Sequence, residues 1–189
     1  MKNIYIIICT VLIMMCCTHQ QMKVKEIEPD TIFVSYFPYD IETNVHISCH
    51  SMSVRTAQVE TDTIILIGKD EYEKIANSVK KKQKNGKKNG CDSRIHVKVG
   101  LSEVCLGGII SCLCDIDENN IEEDVESIYL VKWKSGFFNY FAKEDLSYDE
   151  TIMRFGLPKD YHQINPQKEI GNEVSKIDMI RKIALISHQ

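Results

Sequence analysis

"RIHVKV", residues 94–99, alternates strictly between apolar and polar positions. That is the period-two signature of a half-buried strand, with Ile95, Val97 and Val99 turned to a core. Outward from it the chain continues in the same style. "TIFVSYF", 31–37, is rich in β-branched and aromatic residues and reads as a strand that Pro38 breaks. "NVHISCH", 44–50, alternates through Val45, Ile47 and Cys49. "TIILIG", 63–68, is an apolar run of the kind found in a central strand. Val104 to Cys114 reads as another apolar strand, with Gly107-Gly108 marking a bulge. "SIYLVKW", 127–133, and "FFNYF", 137–141, flank Lys134-Ser135-Gly136 and read as a hairpin.

Helical spacing is confined to three places. Tyr72, Ile75, Ala76 and Val79 stand at i, i+3, i+4 and i+7 behind Asp70, which can cap them. Ser147 and Glu150 form a capping-box pattern, and Gly156 with Pro158 ends the short helix that follows. Residues 173–187 show an amphipathic pattern through Val174, Ile177, Ile180 and Ala184. Strands therefore come in clusters, not in βαβ alternation. The expected fold class is α+β. It has a mostly antiparallel sheet of about six to seven strands, one helix after the third strand and two C-terminal helices. One domain is expected over 31–189. "KKKQKNGKKNG", 80–90, carries six lysines and no apolar face, and reads as a solvated loop.

With 189 residues, 43% hydrophobic and 26% charged, the chain is ordinary for a globular protein with a real core. A net charge of −4 and a pI near 5.9 disfavour a nucleic-acid partner. Ile4 to Cys17, "IYIIICTVLIMMCC", is an uncharged run behind the basic Lys2. At fourteen residues it is shorter than the ~20 needed to span a bilayer, and it suits the apolar region of a signal peptide. "LIMMCCTHQQ" resembles a bacterial lipoprotein signal. That resemblance implies cleavage after residues 1–16, acylation of Cys17, a polar tether over 17–30 and anchoring to a membrane of the bacterial cell envelope. Cys16, preceded by the bulky Met15, is the other candidate for the acylated residue. Loss of Lys2 would leave 22 basic against 27 acidic residues, a charge of −5.

Cys49, Cys91, Cys105, Cys112 and Cys114 follow the signal. Five is odd, so they cannot all pair within the chain. The expectation is that most are small buried hydrophobes, with at most one or two bridges. "DIDENNIEEDVE", 115–126, places Asp115, Asp117, Asn119, Glu123 and Glu126 at the ligand spacing of a calcium loop. Against calcium stand Asn120 where Gly is normal, Glu122 where an aliphatic residue is normal, and strand-like flanks. The preferred reading is a solvated acidic loop joining two antiparallel strands. His46, Cys49 and His50 invite a metal, but on a strand His46 and His50 would lie ~13 Å apart with Cys49 on the other face. No cofactor or metal is therefore expected. Tyr129, Trp133, Phe137, Phe138, Tyr140 and Phe141 are expected to form hairpin core in preference to a binding face. No nucleophile motif places a Cys/His pair. The sequence thus favours a lipid-anchored binding domain with a protein partner, an immunity or inhibitor protein being one form. An envelope hydrolase using a Cys/His pair is the second reading.

Overall fold

The computed structural model describes residues 30–38, 46–81, 91–109, 112–122, 124–164 and 180–188. The architecture is α+β. Six strands form one sheet: β1 (Thr31–Tyr36), β2 (Thr63–Ile67), β3 (Ile95–Val99), β4 (Ser102–Leu106), β5 (Leu113–Asp115) and β6 (Arg181–Ser187). Their order across the sheet is β2-β6-β1-β3-β4-β5. Every pairing is antiparallel except β2 with β6. The helices are α1 (Cys49–Thr56), α2 (Lys69–Lys81), α3 (Val125–Lys134), α4 (Lys143–Leu146) and α5 (Glu150–Phe155), with a 3₁₀ turn at Phe137–Tyr140.

The alternation of β3 decides which face does what. Ile95, Val97 and Val99 join Ile32, Val34, Val104, Leu106, Ile183 and Leu185 in the main core. α2 closes that core with Tyr72, Ile75, Ala76 and Val79, the four residues its spacing picks out. Its entry is a capping contact in which Gly68 N donates to Glu71 Oε2 at 3.1 Å, with Asp70 one residue inside the helix. The opposite face carries His96, Lys98, Glu103 and Cys105, and α1 lies over it. A second, smaller core there gathers Phe37, Ile47, Cys49, Met52, Cys91, Cys105, Cys114 and Ile180. β2 is an edge strand, not the central one its apolar run suggests, and it leaves Ile64 and Leu66 exposed on this same face, at 63% and 61%.

Four further segments differ from the sequence reading. Residues 49–56 are helical, not the end of a strand. Ser48 caps them by accepting from Ser51 N, and Cys49, Met52, Ser53 and Thr56 turn inward at helical spacing. Residues 125–134 form α3, not a hairpin strand. Asp124 caps it through Ser127, and the helix is buried on nearly every side, so no polar stripe advertised it. Gly136, at φ 76°, ends α3 and turns the chain into the 3₁₀ segment. Val104–Cys114 is two strands, with the glycines in the loop between them: Leu106 pairs with Leu113, and Gly107 N donates to Cys112 O. Residues 181–187 form β6 instead of a helix, because pairing with both β1 and β2 places this segment inside the sheet. Val174 and Ile177 lie outside the described residues, as do residues 82–90 of the lysine-rich segment. The short helix stands as α5, capped by Asp149 and not Ser147, and ended by Gly156 at φ 82°.

α3, α5 and the β4–β5 loop meet at one buried ion pair. Lys132 Nζ donates to Asp149 Oδ2 at 2.7 Å and to Gly108 O at 2.7 Å. Their side chains are 1% and 0% exposed. The other oxygen of Asp149 caps α5 through Thr151 N and Ile152 N. Removing one partner of such a pair strands the other charge in the interior, a loss of about 3–5 kcal/mol. Lys132→Met is therefore expected to lower unfolding free energy by that order in chemical denaturation. Adding Asp149→Asn should recover part of the loss. Additive losses in the double variant would show that the two groups are not coupled.

Candidate functional site

The outer face of the sheet presents a cross-strand row. Lys182 on β6 lies opposite Ser35 on β1, Ser35 opposite His96 on β3, and His96 opposite Cys105 on β4. Next to it runs a second row, with Ala184 opposite Phe33, Phe33 opposite Lys98 and Lys98 opposite Glu103. α1 crosses this surface from β4 towards β6. Its first residue is bonded to Cys105 and the carbonyl of its last, Thr56, accepts from Lys182 Nζ at 3.2 Å. Between the C-terminal end of α1 and β1 and β6 there remains a cavity of about 250 Å³. Phe33, Ser35, Ser53, Thr56, Ala57, His96, Lys98 and Lys182 line it.

A continuous hydrogen-bond chain forms its floor. Ser53 Oγ donates to Glu103 Oε2 at 2.6 Å, and Lys98 Nζ donates to Glu103 Oε1 at 2.7 Å. His96 Nε2 sits 3.1 Å from Glu103 Oε2, and His96 Nδ1 sits 2.9 Å from Thr56 Oγ1. Burial opposes ionisation of Glu103. The hydrogen bonds from Lys98 and Ser53, with His96 beside them, outweigh it and hold the carboxyl down at about 2. Burial also pushes His96 below its ordinary value, more strongly than Glu103 pulls it up. A neutral His96 beside a carboxylate carries its hydrogen on Nε2, so Nδ1 accepts from the Thr56 hydroxyl. Lys182 Nζ also donates to Val59 O at 3.0 Å, and so covers the carbonyl end of α1. Burial, and then Lys98, lowers its proton affinity.

Thr56, His96 and Glu103 stand in the hydroxyl–imidazole–carboxylate order of a hydrolase. Thr56, however, is 2% exposed, and its hydroxyl also contacts the carbonyl of Ser53 in its own helix at 3.1 Å. It serves as a strut between α1 and β3. The cysteines do not supply a nucleophile among the described residues. Cys49 is bridged to Cys105 and Cys91 to Cys112, which overturns the expectation that most are plain buried hydrophobes. The remaining Cys114 is buried, and burial raises its thiol to about 11.

The other sequence candidates do not converge. His46 and His50 are exposed, and the Cys49 sulfur is spent in its disulfide. In the acidic loop the Asp115 carboxylate, on a residue 2% exposed, accepts from Asp117 N, Asn119 N and Asn119 Nδ2. The left-handed residue is Glu118, not Asn120, which instead bridges to Cys114. Glu126 leaves the loop to pair with Lys74, and Glu123 lies outside the described residues. The loop joins β5 to α3, not two strands. Among the described residues no group of three His, Cys, Asp or Glu is arranged to hold a metal ion. The aromatic residues do form core, but around α3 and the 3₁₀ turn. Phe137 packs on Phe141 at 4.8 Å between ring centres and on Tyr36 at 5.5 Å. Trp133 and Tyr140 are partly buried against them. Sequence reasoning missed His96, Ser53, Thr56 and Lys182. The outward positions of "RIHVKV" and the i, i+4, i+7 spacing of Cys49, Ser53 and Thr56 were the signals that could have found His96 and the α1 residues.

The site makes the fold acid-sensitive. His96 binds a proton less readily folded than unfolded, so its share of stability is complete above the ordinary histidine value near 6.5 and declines as pH falls below it. The Glu103 share is complete above the ordinary carboxylate value and declines as pH falls towards 2. The unfolding free energy measured by chemical denaturation from pH 7.5 to pH 5 should therefore fall, by at most ~1.4 kcal/mol per pH unit for His96 alone. His96→Gln should flatten that part of the curve, and an unchanged slope in the variant would refute the assignment. Comparison of the chain with protein-family models, curated proteins and solved structures finds no match.

Proposed function

We propose that this is a lipid-anchored protein of the bacterial cell envelope whose α+β domain binds a partner molecule and catalyses no reaction. The observation that carries the envelope reading is the pair of disulfides, Cys49–Cys105 and Cys91–Cys112. Bridges of this kind form and persist in oxidising compartments and are rare where thiols are kept reduced. They support the destination that the signal-like N-terminus implies. Residues 1–29, Cys17 among them, lie outside the described residues. Among the described residues no helix is long and apolar enough to cross a membrane, and a diacyl anchor on Cys17 would supply the attachment. The binding reading is supported by the cavity over the outer face of the sheet and by a cysteine set with no accessible low-pKa thiolate among the described residues.

Mass spectrometry of the protein extracted from membranes is expected to find residues 1–16 gone and acyl mass on Cys17. Cys17→Ser should abolish the acyl mass. Acylation that survives Cys17→Ser but is lost in Cys16→Ser would move the site to Cys16. Membrane attachment unaffected by either change would overturn the lipoprotein reading.

A further inference from the structure

We propose that the cavity under α1 binds a small organic carboxylate. Lys98, Lys182 and the Ser35 hydroxyl would take its oxygens, and its apolar part would lie against Phe33. The inference rests on the non-catalytic binding reading above and names its ligand class.

Three observations carry it. The first is donor excess. Lys98, Lys182 and Ser35 all face the cavity, and Lys98 and Lys182 are close enough that the charge of one disfavours the charge of the other. Glu103, held by Lys98, Ser53 and His96, is the one carboxylate in this network. Two ammonium groups against one carboxylate leave one positive charge over, which a monoanion would neutralise.

The second observation is Ser35. It is 1% exposed and lines the cavity, yet among the described residues its hydroxyl makes no hydrogen bond. A hydroxyl on a residue of the cavity wall with no partner in the chain is open to a ligand or a water there.

The third is size and wall chemistry. At about 250 Å³ the cavity falls below the ~300–1,000 Å³ of sites for drug-sized ligands. Phe33 and Ala57 give it an apolar side. A phosphate dianion would overshoot the single excess charge and would leave those walls without a partner. A short carboxylate matches both.

The test uses the full-length protein extracted in detergent. Acetate, propionate, butyrate and benzoate are titrated at constant ionic strength against chloride and inorganic phosphate, with the thermal midpoint and isothermal calorimetry as readouts. A saturable response to at least one carboxylate, absent with chloride and phosphate, is expected. Ser35→Ala, a small change at a position that supports no other side chain through a hydrogen bond, should weaken affinity about tenfold, the effect of ~1.4 kcal/mol. Lys98→Met should weaken it at least as much. A response to phosphate alone, a response equal for all anions, or affinity unchanged in both variants would overturn the assignment. Turnover of p-nitrophenyl acetate is followed in parallel. Ester hydrolysis that disappears in His96→Gln would overturn the non-catalytic reading itself. Absence of both hydrolysis and carboxylate binding would overturn only the ligand.

Discussion

The Cys49–Cys105 bond fixes where α1 lies, and the cavity exists because α1 lies there. A helix of eight residues does not hold in water by itself. Only Cys49 and Met52 of α1 are buried apolar residues, which is little area to hold a helix against a sheet. The disulfide closes a separation of 56 residues, and chain-entropy arithmetic puts the stabilisation at about 4 kcal/mol. With the first residue of α1 bolted to β4, polar links settle the rest. Ser53 reaches Glu103 one turn on, Thr56 reaches His96 about one turn further, and Lys182 closes the carbonyl end.

The two faces of the sheet are thus stabilised by different physics. The inner face is apolar burial on the ordinary plan, with α2 and α3 laid over alternating strand residues. Its buried ion pair, Lys132 with Asp149, has its partners supplied from three segments and acts as a locator for α3 and α5. The outer face relies on sulfur cross-links and on a hydrogen-bond chain through Glu103. Such a chain tolerates an open space beside it in a way that a close-packed apolar layer does not, since a void in an apolar core forfeits contacts. A cavity with two lysines in its wall is consequently found on the outer side.

Legibility followed the same division. β3 and α2 were readable because each shows one clean period and one buried face, and β1 and β2 because β-branched residues crowd a short segment. α3 was not, because burial on nearly every side removes the polar stripe, and Ile128, Tyr129, Val131 and Trp133 also favour strands. β6 was not, because its alternation in "RKIALIS" is blurred by Ala184, which is buried on the outer face. The candidate site was nearly invisible. It is assembled from four strands and one helix, and its closest sequence neighbours, His96 and Lys98, were set aside as the polar half of an alternating strand. The disulfide partners could not be deduced from spacing, since five cysteines leave many pairings open.

The odd cysteine shows how these constraints fit together. Cys114 lies opposite Cys105 in the β4–β5 register and therefore beside a disulfide it could attack. Exchange requires a thiolate. Burial raises the Cys114 thiol to about 11, and the nearby carboxylates of Glu118 and Asp115 add to that, while the Ser93 hydroxyl 3.9 Å away offsets only part. Near neutral pH the thiol is therefore overwhelmingly protonated. The acidic loop that resembles a calcium site in sequence therefore has a local electrostatic role. Asp115 organises the turn after β5, and its charge helps keep the neighbouring thiol protonated. Among the described residues one cysteine is left over from two disulfides, and it sits where ionisation is disfavoured, one strand away from the bond that holds α1 over the cavity.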